Sequence, residues 1–132
     1  MDSPVMASDL QAKKKNVANI KRHILFCVGE KCCTAERGLA VWTYLKQQMA
    51  QHGISEGPAS SVYRTKVGCL RICADGPIAV VYPEGTWYRF VDERAVDEII
   101  VEHLINGRPV VKYQFSQTNL APSGTIVQGA ST

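Results

Sequence analysis

Five cysteines constrain this chain more than any other feature: Cys27, Cys32, Cys33, Cys69 and Cys73. Three fall between a short apolar run and an amphipathic segment; two follow an alternating run. No C-x2-C is present, so neither the zinc knuckle nor the thioredoxin-type dithiol motif is written here. C-x-x-C-H, the haem-attachment motif, is also absent. The vicinal pair Cys32-Cys33 closes only a strained ring. Zinc tolerates this spacing without predicting it. The spacing that must be explained is C-x3-C in Gly68-Cys69-Leu70-Arg71-Ile72-Cys73.

Composition narrows the setting. No apolar run approaches the ~20 residues of a membrane span. The start, Met1-Asp2-Ser3-Pro4-Val5, lacks a basic region followed by an apolar stretch, so no secretory leader is read and the expected compartment is the cytoplasm. An odd number of cysteines in a reducing compartment points to ligands or reactive thiols rather than a disulfide framework. The net charge of +3 is unevenly placed. Residues 1–22 carry five basic and two acidic side chains, whereas residues 23–107 carry eight basic and ten acidic ones. The core is mildly acidic and has no basic stripe with interleaved aromatics, which argues against nucleic-acid binding.

Residues 1–20, with Lys13-Lys14-Lys15, show no period and read as a disordered arm. Residues 116–132 are turn-rich and read as a disordered tail. Between them, residues 21–115 form one domain of roughly 90 residues. His23–Val28 is a buried strand. Leu39, Trp42, Leu45 and Met49 recur at helical spacing, predicting a helix over about Ala35–His52 stopped by Gly53. Glu56-Gly57-Pro58 is a loop. Ser61–Val67 alternates as a strand. Pro77–Tyr82, the turn Pro83-Glu84-Gly85 and Thr86–Phe90 make a hairpin. Asp92 caps a last helix carrying Val96, Ile99, Ile100, His103 and Leu104. The order β-α-β-β-β-α is that of an α/β, thioredoxin-like fold: a mixed four-stranded sheet with two main helices.

In such a fold both cysteine segments can lie at one end of the molecule. A [2Fe–2S] cluster takes two thiolates per iron, and so one pair from each loop. Its size accepts a pair spaced more widely than a single zinc ion requires. Gly29, Gly68 and Gly76 give the loops the freedom to bring backbone N–H groups to the sulfurs. His52 and His103 lie away from these loops, against mixed Rieske-type ligation, and His103 reads as a surface or interface residue. Trp87 and Tyr88 read as hairpin core and edge.

The run GCLRICADGPIAVVYPEGTWY resembles the second cluster motif of the thioredoxin-like [2Fe–2S] ferredoxins. It matches at Gly68, Cys69, Cys73, Pro77, Val80, Val81, Tyr82, Pro83, Gly85, Trp87 and Tyr88. RHILFC resembles the family's first strand and first ligand, and GLAVWTYL its first helix, so the likeness spans about residues 22–114. The family is also similar to the small cluster-bearing subunit of the complex I peripheral arm. The resemblance implies a [2Fe–2S] cofactor and the ligands Cys27, Cys69 and Cys73. For the fourth, Cys32 gives C-x4-C as in the complex I-type subunits. Counting back from Trp42 and Leu45 gives Cys33, the expected ligand. The loop between the first two ligands is shorter than in the single-chain ferredoxins.

The function expected is one-electron transfer to redox partner proteins by a homodimer, with no enzymatic activity of its own. The alternatives are a redox-sensing or relay subunit of a larger complex, or a structural zinc module. Arg71, inside the ligand motif, is a candidate for raising the potential or meeting an acidic partner.

Overall fold

In the computed structural model, residues 4–55 and 61–119 are described. The expected loop at Glu56-Gly57-Pro58 and residues 120–132 of the expected tail lie outside them. The strands are β1 (Arg22–Cys27), β2 (Val62–Val67), β3 (Ala79–Tyr82), β4 (Thr86–Tyr88) and β5 (Gln114–Gln117). The helices are α1 (Ala7–Lys14), α2 (Ala35–Gln51) and α3 (Glu93–Glu98), the last running on into wider π-helical turns over Ile99–Ile105. No described helix is long and apolar enough to cross a membrane.

The sheet is mixed, in the order β2-β1-β3-β4-β5. β1 pairs with β2 in parallel, Cys27 opposite Val67, and the other neighbours are antiparallel. A parallel pair needs a crossover, and α2 supplies it. Its N-cap is Thr34, whose hydroxyl accepts from Arg37 N–H at 3.1 Å. Leu39 does not share the inward face expected of it. It is exposed, and the stripe that packs on the sheet is Gly38, Val41, Trp42, Leu45 and Met49. A second stripe, Val96 on α3 with Ile99, Ile100 and Leu104 on the turns that continue it, joins the first in closing over Ile24, Phe26, Ala79, Val81 and Tyr88. Full burial of a side chain such as Leu45 or Met49 stabilises the fold by about 1.5–3 kcal/mol each.

Two expectations for the termini are corrected. The sheet has five strands, not four: β5 extends into the segment read as tail from residue 116, and Thr118 N–H goes on to donate to Gly85 O at 2.7 Å. Phe115 anchors β5 by packing edge-on to Trp87. The arm read as disordered over 1–20 contains α1, which buries none of its residues. Asp9 accepts from Met6 N–H at its start and Lys13 and Lys14 lie in its last turn, both favourable to the helix dipole.

His103 is also corrected: it is fully buried, not a surface residue. Val110 N–H donates to the Tyr88 hydroxyl at 2.8 Å, and Tyr88 O–H donates to His103 Nδ1 at 2.8 Å. The opposite ring nitrogen, Nε2–H, donates to Glu84 Oε1 at 2.8 Å, and Arg22 clamps the same carboxylate through Nε and Nη2. Burial holds His103 below its ordinary pKa, against the pull of Glu84, so the ring is neutral and this tautomer satisfies both nitrogens. Burial alone would raise the Glu84 carboxyl, but hydrogen bonds from Arg22 and His103 outweigh it and hold it below its ordinary value.

Candidate metal centre

Parallel pairing delivers both cysteine segments to the same end of the sheet. Val28 N–H donates to Val67 O at 2.9 Å, directly beyond the last paired residues of β1 and β2. The loops are then bonded once more and pressed together at a second point. Gly76 N–H donates to Cys32 O at 2.8 Å, and a side chain at Gly76 would collide with that carbonyl. A side chain at Gly29 would collide with Gly68 O. Glycine is required at these two positions because one backbone lies directly on another.

The first segment is compact. Cys27, at the end of β1, and Cys32 are buried, and their sulfurs stand 3.3 Å apart. Gly29 N–H donates to Cys27 Sγ at 3.4 Å, and Cys32 S–H donates to Gly29 O at 3.4 Å. Burial, with the Cys27 thiol beside it, pushes the Cys32 thiol up to about 12. Cys32 therefore holds its proton at neutral pH, and a metal must displace that proton to bind it. Cys33 turns differently. Its S–H donates to Thr34 O at 3.3 Å, and its sulfur lies beside Gly38 of α2.

The second segment is open. Cys69 and Cys73 are exposed. Arg71, in the left-handed region at φ +70°, turns its N–H onto Cys69 Sγ at 3.1 Å. Ile78, Leu70, Val67, Trp87 and Phe115 pack with Cys27 and Cys32 and keep water from that side.

Thus the structure brings Cys27 to Cys32 and the two loops to each other. It does not gather the four sulfurs: among the described residues, no group of three or more His, Cys, Asp or Glu side chains is close enough to hold a metal ion. Chemically the donors nevertheless fit a thiolate-bound cluster. One close sulfur pair suits one iron, a second pair lies on the loop fastened beside it, and each loop aims a backbone N–H at a sulfur, the contact that tunes such centres. The pairing of Cys27 with Cys32 and the N–H from Arg71 are invisible in the residue spacing, since they depend on side-chain direction and on one backbone φ angle.

No protein-family model matches the chain. It is 31% identical over 105 residues to a 2Fe-2S ferredoxin of Clostridium pasteurianum, covering 74% of this chain and 99% of that protein. A 2Fe-2S ferredoxin of Aquifex aeolicus is 45% identical over 53 residues, 40% of this chain and 48% of its own length. The fold superposes on the solved structure of a thioredoxin-like [2Fe–2S] ferredoxin from Aquifex aeolicus with a TM-score of 0.65 at 28% identity, covering 81% of this chain and 99% of that one. With a relative matched over almost its entire length and the same fold beneath it, the chain belongs to the thioredoxin-like [2Fe–2S] ferredoxin family.

Proposed function

We propose that this chain is a one-electron carrier that holds a single [2Fe–2S] cluster through Cys27, Cys69, Cys73 and one thiolate of the Cys32-Cys33 pair. The observation that carries the reading is the fastening of two cysteine loops at one sheet end, each with a backbone N–H on a ligand sulfur. Counting along the helix favours Cys33 as the fourth ligand. The sulfur that faces Cys27 is that of Cys32, and this supports Cys32 instead.

When bound, the cluster supplies a one-electron couple, and all-cysteine ligation favours the lower part of the roughly −700 to +450 mV range of iron–sulfur centres. The chain's own residues have the remaining tasks. Gly29 and Arg71 N–H groups stabilise negative charge on sulfur. Ile78, Leu70 and Trp87 shield one side. The ferredoxin relatives support a carrier with no reaction of its own.

Anaerobic purification tests the proposal. A brown protein with two irons and two sulfides per chain, bleached by dithionite, is the expected result; a colourless protein with one zinc sinks it. Cys32→Ser and Cys33→Ser, made separately, identify the fourth ligand by which loses the visible bands.

The homodimer belongs to the same proposal. α2 and α3 cover the sheet face of Ile24, Phe26 and Tyr88; on the other, Cys27 and Val80 are buried while Leu25, Val67, Trp87 and Phe115 are half-buried. Light scattering that gives a monomer's mass at tens of micromolar removes the dimer from the reading.

A further inference from the structure

Arg71 occupies a backbone position made for glycine. Its φ of +70° lies in the left-handed region, where a Cβ crowds the following carbonyl and where glycine pays no such penalty. The loop needs that conformation, because it aims Arg71 N–H at Cys69 Sγ. It does not need the side chain. Arg22, Arg37 and Arg108 each hold a carboxylate, and Arg64 and Arg89 each lie over an aromatic ring. The Arg71 guanidinium is exposed, and among the described residues it makes no ion pair or hydrogen bond. Strain kept at a site without a structural return points to function.

Its surroundings repeat the pattern. Asp75 and Phe90 are also left-handed, at φ +59° and +51°, and Phe90 N–H donates to Asp75 O at 2.8 Å, tying it to the cysteine loop. Phe90, on the segment bonded to the loop, is 56% exposed and Ile72, next to Arg71 in the chain, is 36% exposed, so this end presents two apolar side chains to water. Besides the Arg37–Glu93 ion pair, this end carries Lys31, Lys66 and Arg89, with Glu30, Asp75, Asp92 and, in the first turn of α2, Glu36. None of these is ion-paired among the described residues, and none lies between the two ligands as Arg71 does.

We infer that Arg71 is the docking residue for a redox partner with a carboxylate-bearing, apolar-centred surface, which seats over Arg71, Ile72 and Phe90 against the ligand loop. The inference rests on the cluster reading above. A guanidinium suits the task because it meets a carboxylate with two parallel N–H donors. The transfer it serves moves one electron from the reduced cluster to the partner's one-electron acceptor, with no bond made or broken and no proton carried.

The test uses the full dithionite-reduced chain in stopped flow with two small one-electron oxidants, anionic hexacyanoferrate(III) and cationic hexaamminecobalt(III). Arg71→Glu is expected to slow oxidation by the anion about tenfold at low ionic strength and to speed oxidation by the cation, an effect that fades near about 0.5 M salt. Arg71→Lys should stay close to the parent, and Arg71→Gly should slow the anion about threefold while melting no lower than the parent. Lys46→Glu, on the middle of α2, should leave the ratio of the two rates unchanged. An unchanged ratio in Arg71→Glu, an equal change in Lys46→Glu, or a lower melting temperature with an unchanged ratio in Arg71→Gly overturns the inference. A parent protein without iron and sulfide overturns the cluster reading instead.

Discussion

The two ends of β1 are built on opposite principles. At Arg22 the chain Val110–Tyr88–His103–Glu84–Arg22 pairs its buried polar atoms at 2.8–3.2 Å, every donor on an acceptor. At Cys27 the contacts are 3.1–3.4 Å approaches to sulfur, a weak partner, and two of the thiols are exposed. Among the described residues, three of the four non-glycine left-handed ones also lie at the cysteine end. The short nitrogen and oxygen hydrogen bonds are concentrated at the first end, and the chemical capacity at the second. The separation lets the loops keep reactive, strained geometry without weakening the strand that carries them.

The sharpest way to break the comparison is to attack one end and read both. Cys73→Ser should abolish the visible bands and the bound iron altogether, yet leave the far-ultraviolet dichroism of the iron-free chain unchanged; loss of folded structure would mean that the cysteine end also holds the fold. Glu84→Ala strands both Arg22 and His103 and should lower the unfolding free energy in urea by about 3 kcal/mol with the absorption spectrum intact. A shifted spectrum there would join the two ends. Tyr88→Phe removes the hydroxyl between Val110 and His103 and should cost about 1–2 kcal/mol by the same measurement.

pH sharpens the same contrast. His103 is held below its ordinary 6.5, so the unfolded chain binds a proton first as pH falls. Its contribution is complete above about 6.5 and is lost as pH drops toward the lower native value. Glu84 is held below 4.5, so its contribution is present above about 4.5 and is lost only in more acid solution. Urea midpoints should therefore decline in two separate windows, and His103→Gln should shrink the upper one to the share of His23, which burial also holds below its ordinary value. The smallest effect belongs to the Arg37–Glu93 pair on the surface, whose side chains are 44% and 40% exposed. Arg37→Ala should change the unfolding free energy by less than about 0.5 kcal/mol.

Much of this architecture is legible in the residues because local signals agree with the fold. The β-branched run in Ala79–Tyr82, the Pro83-Glu84-Gly85 turn and the Asp92 cap, which accepts from Ala95 N–H at 2.9 Å, each specify their element locally. β5 is hidden because Phe115 is the sole apolar residue in its four, and its pairing with β4 carries a register shift at Trp87/Tyr88. The burial of His103 is hidden differently. The stripe Ile99, Ile100, Leu104 turns it inward, but the partners that make a buried imidazole tolerable, Tyr88 and Glu84, are distant in sequence. At the metal centre, the spacing identifies the sulfurs as a set. Which of two adjacent thiols faces Cys27 is a matter of side-chain direction, and composition and period carry no signal for it.

The length of β1 has an electrical consequence. Its six residues place Arg22 and Cys27 about 17 Å apart at roughly 3.3 Å per step. Over that distance the coupling between two unit charges falls to about 1 kcal/mol at an effective dielectric constant of about 20. The far end is also close to neutral as a unit, since Arg22 offsets Glu84 and the His103 ring is uncharged. The strand therefore works as a spacer that insulates the centre from its own foundation. Protonating His103 changes how firmly the molecule stands, while the midpoint potential at the sulfur end should rise by no more than a few tens of millivolts through the same pH interval.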